Sequence, residues 1–193
     1  AASDVYKRQL QHCQAEIRKR QHIELANHLL ALGDCFYVED MAWPSLTHRA
    51  KETAISEKTG RIKRKKRFGK SVANKAPATL IGILEQKCNS LGLPGVMKVP
   101  TSLRASQYNH QSGEYTSKPL SQRWNDMPDG ERIQRDLYSA FLLQHYDPQA
   151  GNFNSALLQQ DYPQFVQYHH RAIQRLSTAP KTLSSMGIQR SLR

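Results

Sequence analysis

The chain has 193 residues, enough for one medium domain or for one domain and a tail, and 38% of them are hydrophobic, a little thin for a compact globule, so part of the chain is expected outside a core. No run approaches the roughly 18 apolar residues of a membrane-spanning helix, and no basic segment followed by an apolar one marks a secretory signal. Lys and Arg number 28 against 16 Asp and Glu, a formal charge of +12. That excess points to nucleic acid more than to an anionic membrane surface, because no strongly basic amphipathic helix stands out.

The chain opens on Ala1, and "AASDVYKRQ" resembles translated sequencing-adapter sequence. Residues 1–9 are therefore set aside as a non-native segment, and the chain is expected to be a fragment. From Leu10 to Leu32 the apolar positions Leu10, Cys13, Ile17, Ile23, Ala26, Leu29 and Leu30 follow helical spacing up to Gly33. The aromatic and β-branched run Cys35–Val38 then predicts a short buried strand, ended by Glu39 and Asp40. Acids at a strand end are either ordinary surface groups or carboxylates held rigidly for chemistry.

Residues 44–73 lose periodicity, and "KTGRIKRKKRFGK" carries eight Lys or Arg in 13 positions. Such a run reads as a solvated loop, and a basic loop can still neutralise phosphates. A helix follows from Asn74, with Asn74 as its cap, Pro77 in its first turn and the stripe Leu80, Leu84, Cys88, Leu91 ended by Gly92. Val96–Val99 reads as a short strand closed by Pro100. Residues 101–130 are polar and read as irregular.

The next helix is expected from Glu131 to His145, with Ile133, Leu137 and Ala140 on its apolar side and Asp136 in its early turns. A last helix is expected from Tyr162 to Leu176, followed by a disordered tail. Cys13, Cys35 and Cys88 are isolated, which disfavours a disulfide framework or a cysteine zinc site and fits a reducing cytoplasm. The neighbours His169 and His170 splay apart on a helix and read as surface residues.

Two acids, Glu39 at a strand end and Asp136 on a helix, call for one explanation. "CFYVEDMAWPSL" and "RIQRDLYSAFLL" resemble the second and third motifs of the RuvC-like nuclease domain of TnpB, the transposon-encoded RNA-guided nucleases, and of the related type V CRISPR effectors. The segments "KRKKRFGKS", "LIGILEQKCNSLG" and "VMKVPTS" fall between them in the family's order. The resemblance covers about residues 15–145. It implies an α/β fold, a partial RNase H-like domain over residues 10–146, with a helical and disordered tail over 147–193. It implies a Mg²⁺-dependent DNA endonuclease acting with a guide RNA in the prokaryotic cytoplasm, with Glu39 and Asp136 as catalytic metal ligands in a two-ion site.

Two departures from the family pattern stand out. The strand that carries the first catalytic Asp is absent, so the two-ion site is incomplete and this chain is expected not to cut by itself. Residues 104–130 occupy the place of a zinc ribbon without a cysteine, and no zinc is expected there. Contacts to DNA or RNA are expected from Arg61, Lys63, Arg64, Lys65, Lys66, Arg67, Lys70, Arg104 and Arg123, with Tyr108, Lys118 and Trp124 beside them; Trp124 equally reads as a packing anchor. Two rival functions stand beside the nuclease: a guided binder that does not cut, and an unrelated basic nucleic-acid-binding protein.

Overall fold

A computed structural model describes residues 2–47, 51–57, 59–62, 69–119, 121–179 and 183–189. The chain is a mixture of helices and small sheets, in agreement with the α/β expectation at that level. It divides into two compact units, Ala1–Phe36 with Met41–Met97, and Tyr37–Asp40 with Lys98–Arg193.

In the first unit a long helix, α1 (Ala2–Leu30), runs through the set-aside residues 2–9 without a break. It ends in a turn in which the Gly33 amide donates to the Leu29 carbonyl. Strand β1 (Cys35–Glu39) follows as expected, but every one of its residues is half-buried, so it is a partly covered strand and not a core strand. The short helices α2 (Trp43–Thr47) and α3 (Gly69–Lys75) lie in the stretch the sequence reads as aperiodic.

Helix α4 (Pro77–Leu91) packs along α1. Its core is Ala26, Leu84 and Cys88, with Leu29, Leu30, Phe36, Leu80 and Ile83 against them. Leu91, the last position of the expected stripe, is exposed, because Gly92 turns the chain away in the left-handed region (φ 66°). The expected Asn74 cap is not made. Asn74 belongs to α3, and the only residue between the two helices, Ala76, bends left-handed at φ 42° with no side-chain cap. The guanidinium of Arg18 donates instead to the carbonyls of Ala73 and Asn74, both at 3.0 Å.

Strand β2 (Gly95–Val99) pairs with β1, and both strands pass from the first unit into the second. The Gly95 amide donates to Asp34 at one end and the Asp40 amide to Val99 at the other, so the strands run in the same direction.

In the second unit, residues 101–130 are more ordered than their composition suggests. A single 3-10 turn spans Thr101–Leu103, Tyr108 bridges Tyr115, and β3 (Trp124–Asp126) pairs antiparallel with β4 (Arg132–Gln134). The tight connection "MPDG" closes that hairpin, with the Met127 amide donating to Glu131. This hairpin takes residues 132–134 out of the expected helix, so α5 spans Arg135–Gln144. A two-residue pair, β5 (Tyr146–Asp147) and β6 (Asn152–Phe153), leads into α6 (Ser155–Thr178), which starts seven residues before the expected Tyr162.

The core gathers Ala105, Met127, Ile133, Tyr138, Phe141, Leu142, Phe153, Leu158 and Tyr162. Phe165 stacks on Phe141 with ring centres 4.4 Å apart. Leu158, Tyr162, Phe165 and His169 form one stripe of α6, which corrects the surface reading of His169. His169 is buried, whereas His170 is exposed and lies 3.0 Å from Glu131. The disordered-tail expectation is also corrected for residues 183–189. A 3-10 turn forms at Ser184–Met186 and Ile188 is buried, because the segment finds hydrogen-bond donors on the hairpin. No helix among the described residues is long and apolar enough to cross a membrane.

Candidate functional site

Glu39 is the last residue of β1, half-buried, and the next amide, of Asp40, is tied to the Val99 carbonyl at 2.8 Å. That bond fixes the backbone where the strand ends. Asp40 itself is exposed. Asp136 sits in the first turn of α5, where an acid is favoured by the helix dipole. Both acids belong to the second compact unit: residues 37–40 group with residues 98–193, and not with their chain neighbours.

The surroundings of Asp136 come from Gln134. This fully buried side chain caps α5 by accepting from the Leu137 amide at 2.8 Å. Its Nε2 donates to Asp136 Oδ2 at 3.1 Å and to the Met186 carbonyl at 3.2 Å. Its backbone amide donates to His169 Nε2 at 3.0 Å, which puts the imidazole proton of a neutral His169 on Nδ1. Burial and the neighbouring His170 push that imidazole down to about 4, so it is neutral near pH 7. Arg135 Nε stands 3.7 Å from the other Asp136 oxygen.

Asp136 is thus held by one hydrogen bond and one longer ion pair, with about half of its side chain exposed. Among the described residues no three of His, Cys, Asp and Glu gather into a group that can hold a metal ion.

The expected nucleic-acid contacts separate into three sets. Lys63, Arg64, Lys65, Lys66 and Arg67 lie outside the described residues, and of Lys70 only the backbone, in α3, is described. Arg61 is exposed next to an isolated bridge between Ile55 and Ile62. Arg104 and Arg123 are in the second unit. Arg104 lies over the Tyr115 ring at 5.0 Å, and Tyr115 packs on Tyr108. Lys118 donates to Asn125 at 2.9 Å, and burial, with Arg135 nearby, lowers its pKa.

Trp124 is partly buried, and its indole N–H donates to the Gly187 carbonyl at 3.0 Å. The packing-anchor reading of Trp124 therefore describes its structural role. The sequence does not mark Gln134, Arg132 or His169 as site residues. The "PDG" turn signal, flanked by "WND" and "ERI", marks the hairpin that places Arg132 and Gln134. No comparable local signal marks His169, whose partner is 35 residues away.

Compared with known proteins, the chain matches no family model, no curated protein and no solved structure.

Proposed function

We propose that the chain is the C-terminal part of a RuvC-like, RNA-guided DNA endonuclease of the TnpB kind, contributing Glu39 and Asp136 to its cutting site. The observation that carries this reading is the grouping of the end of β1 with residues 98–193, which puts both acids in one compact unit. A parallel β1–β2 pair with Glu39 at its end supports it, and in the proposed nuclease a further strand would pair with that sheet. The remaining acid of the site would come from such a strand. The charge of +12 suits a protein that holds backbone phosphates while a guide reads sequence.

One observation favours a second reading, a basic nucleic-acid-binding protein whose acids are structural. Asp136 has a sufficient local reason in the start of α5, through Gln134 and Arg135. The two readings part at a divalent ion. In crystals of the full-length protein grown with Mn²⁺, the nuclease reading expects an anomalous peak touching both Glu39 and Asp136. A peak touching neither acid, or only one, overturns the shared site.

A further inference from the structure

The hairpin, the end of α6 and the C-terminal segment enclose a groove of about 720 Å³ in the second unit. This lies within the roughly 300–1,000 Å³ range of ligand clefts. Its lining includes Arg123, Trp124, Asp126, Arg132, Ile173 and Gly187. We infer that this groove binds one unpaired nucleotide of a nucleic-acid strand, its base against the Trp124–Arg132 pair and its phosphate on Arg123 and Arg132. The inference rests on the nucleic-acid part of the proposed function and not on cutting.

Three features of the groove carry it. The Arg132 guanidinium lies over the Trp124 ring at 5.6 Å, and aromatic side chains and guanidinium groups are surfaces on which bases stack regardless of identity. Arg123 adds a second cation, so two positive charges face one carboxylate, Asp126, which stands 3.8 Å from Arg132. The lining therefore keeps a net positive charge, which suits a single phosphate.

The third feature is the wall. Gly187 is left-handed (φ 72°), and a Cβ there would stand 2.7 Å from Arg123 Cβ and 3.1 Å from Trp124 Nε1. Only glycine lets the segment approach this closely while its carbonyl fixes the indole edge. Buried Ile188 anchors the same segment. The groove is therefore a built surface, with the indole clamped at its N–H and its position set from two sides.

The test uses the 193-residue chain with Trp43→Phe, which leaves Trp124 as the sole indole reporter, because the chain has two tryptophans. Oligothymidylate titrated at moderate salt is expected to quench Trp124 fluorescence, and a duplex of equal length to quench about tenfold less tightly, because its bases are already stacked. Arg123→Gln with Arg132→Gln is expected to weaken the quenching about tenfold or more while thermal unfolding stays cooperative. The titration is run in EDTA, where no metal-dependent cutting occurs, which keeps this result separate from the fate of the cutting site. Oligonucleotide binding seen by anisotropy without any Trp124 quenching overturns the inference. So does equal quenching by inorganic phosphate alone, or quenching that survives the double Arg→Gln change.

Discussion

His169 shows how one buried side chain ties a site residue to its surroundings. It accepts the Gln134 amide at 3.0 Å, and Gln134 in turn holds Asp136, so the imidazole must be neutral for the chain of bonds to exist. Its folded-state pKa lies below the ordinary 6.5, at about 4, pushed there by burial and then by His170, with Glu131 pulling the other way. Above 6.5 neither the folded nor the unfolded chain protonates this group, and its full contribution is present. Between 6.5 and about 4 the unfolded chain takes up a proton that the folded chain refuses, so stability falls as pH falls. His110, also lowered by burial, adds in the same sense. The unfolding midpoint is expected to drop from pH 7 to pH 4.5, and His169→Gln, which keeps an acceptor for the Gln134 amide, to flatten that drop. An equally steep dependence in His169→Gln would remove His169 from the account.

At the scale of elements, the junction between α3 and α4 carries strain that can be released. Ala76 is held at φ 42°, ψ 57°, a region that disfavours any residue with a Cβ, and it supplies no side-chain cap. Ala76→Gly is expected to raise stability by about 0.5–1 kcal/mol, measured by urea unfolding at constant m-value. A lower midpoint would mean that the entropy of the glycine outweighs the relief.

The same junction shows what was legible beforehand. Helical spacing in 10–32 and 80–88, the strands at 35–39 and 96–99, and the stops at Gly33 and Gly92 are local patterns, and the folded chain keeps them. The α3 helix is not legible, because Gly69–Lys75 has one apolar position of note and a basic flank. Residues 101–130 read as irregular for a related reason. Apart from the hairpin marked by "PDG", their order rests on distant partners, such as His110 on Tyr138 at 2.7 Å and Tyr108 on Phe153, which no local pattern announces. Asp136 was legible as an acid that needed a reason. The reason found in the structure, a buried Gln134 that also holds Met186, depends on residues 183–189, which read as a tail.

At the scale of the whole molecule, charge is the property most open to measurement. The excess of 28 Lys and Arg over 16 acids is concentrated in residues 58–70, and each phosphate neutralised releases a counterion. Replacing Lys63, Arg64, Lys65 and Lys66 with Gln is expected to weaken nucleic-acid binding and to flatten its salt dependence. On duplex DNA the log–log slope should fall by up to about 0.9 for each phosphate that is no longer neutralised. An unchanged slope would make the basic run a solvated connection only.

Under the proposed function, Glu39 and Asp136 serve one cutting site that this chain supplies only in part. Guide-directed DNA cleavage, measured with Mg²⁺, tests it most directly when the 193-residue chain, the full-length protein and its Glu39→Ala and Asp136→Ala variants are compared. The 193-residue chain is expected to leave DNA intact and the full-length protein to cut. Each substitution should abolish cutting while guided binding is retained. Cutting by the full-length protein that survives both substitutions, or Mg²⁺-dependent cutting by the 193-residue chain that Asp136→Ala abolishes, would contradict it.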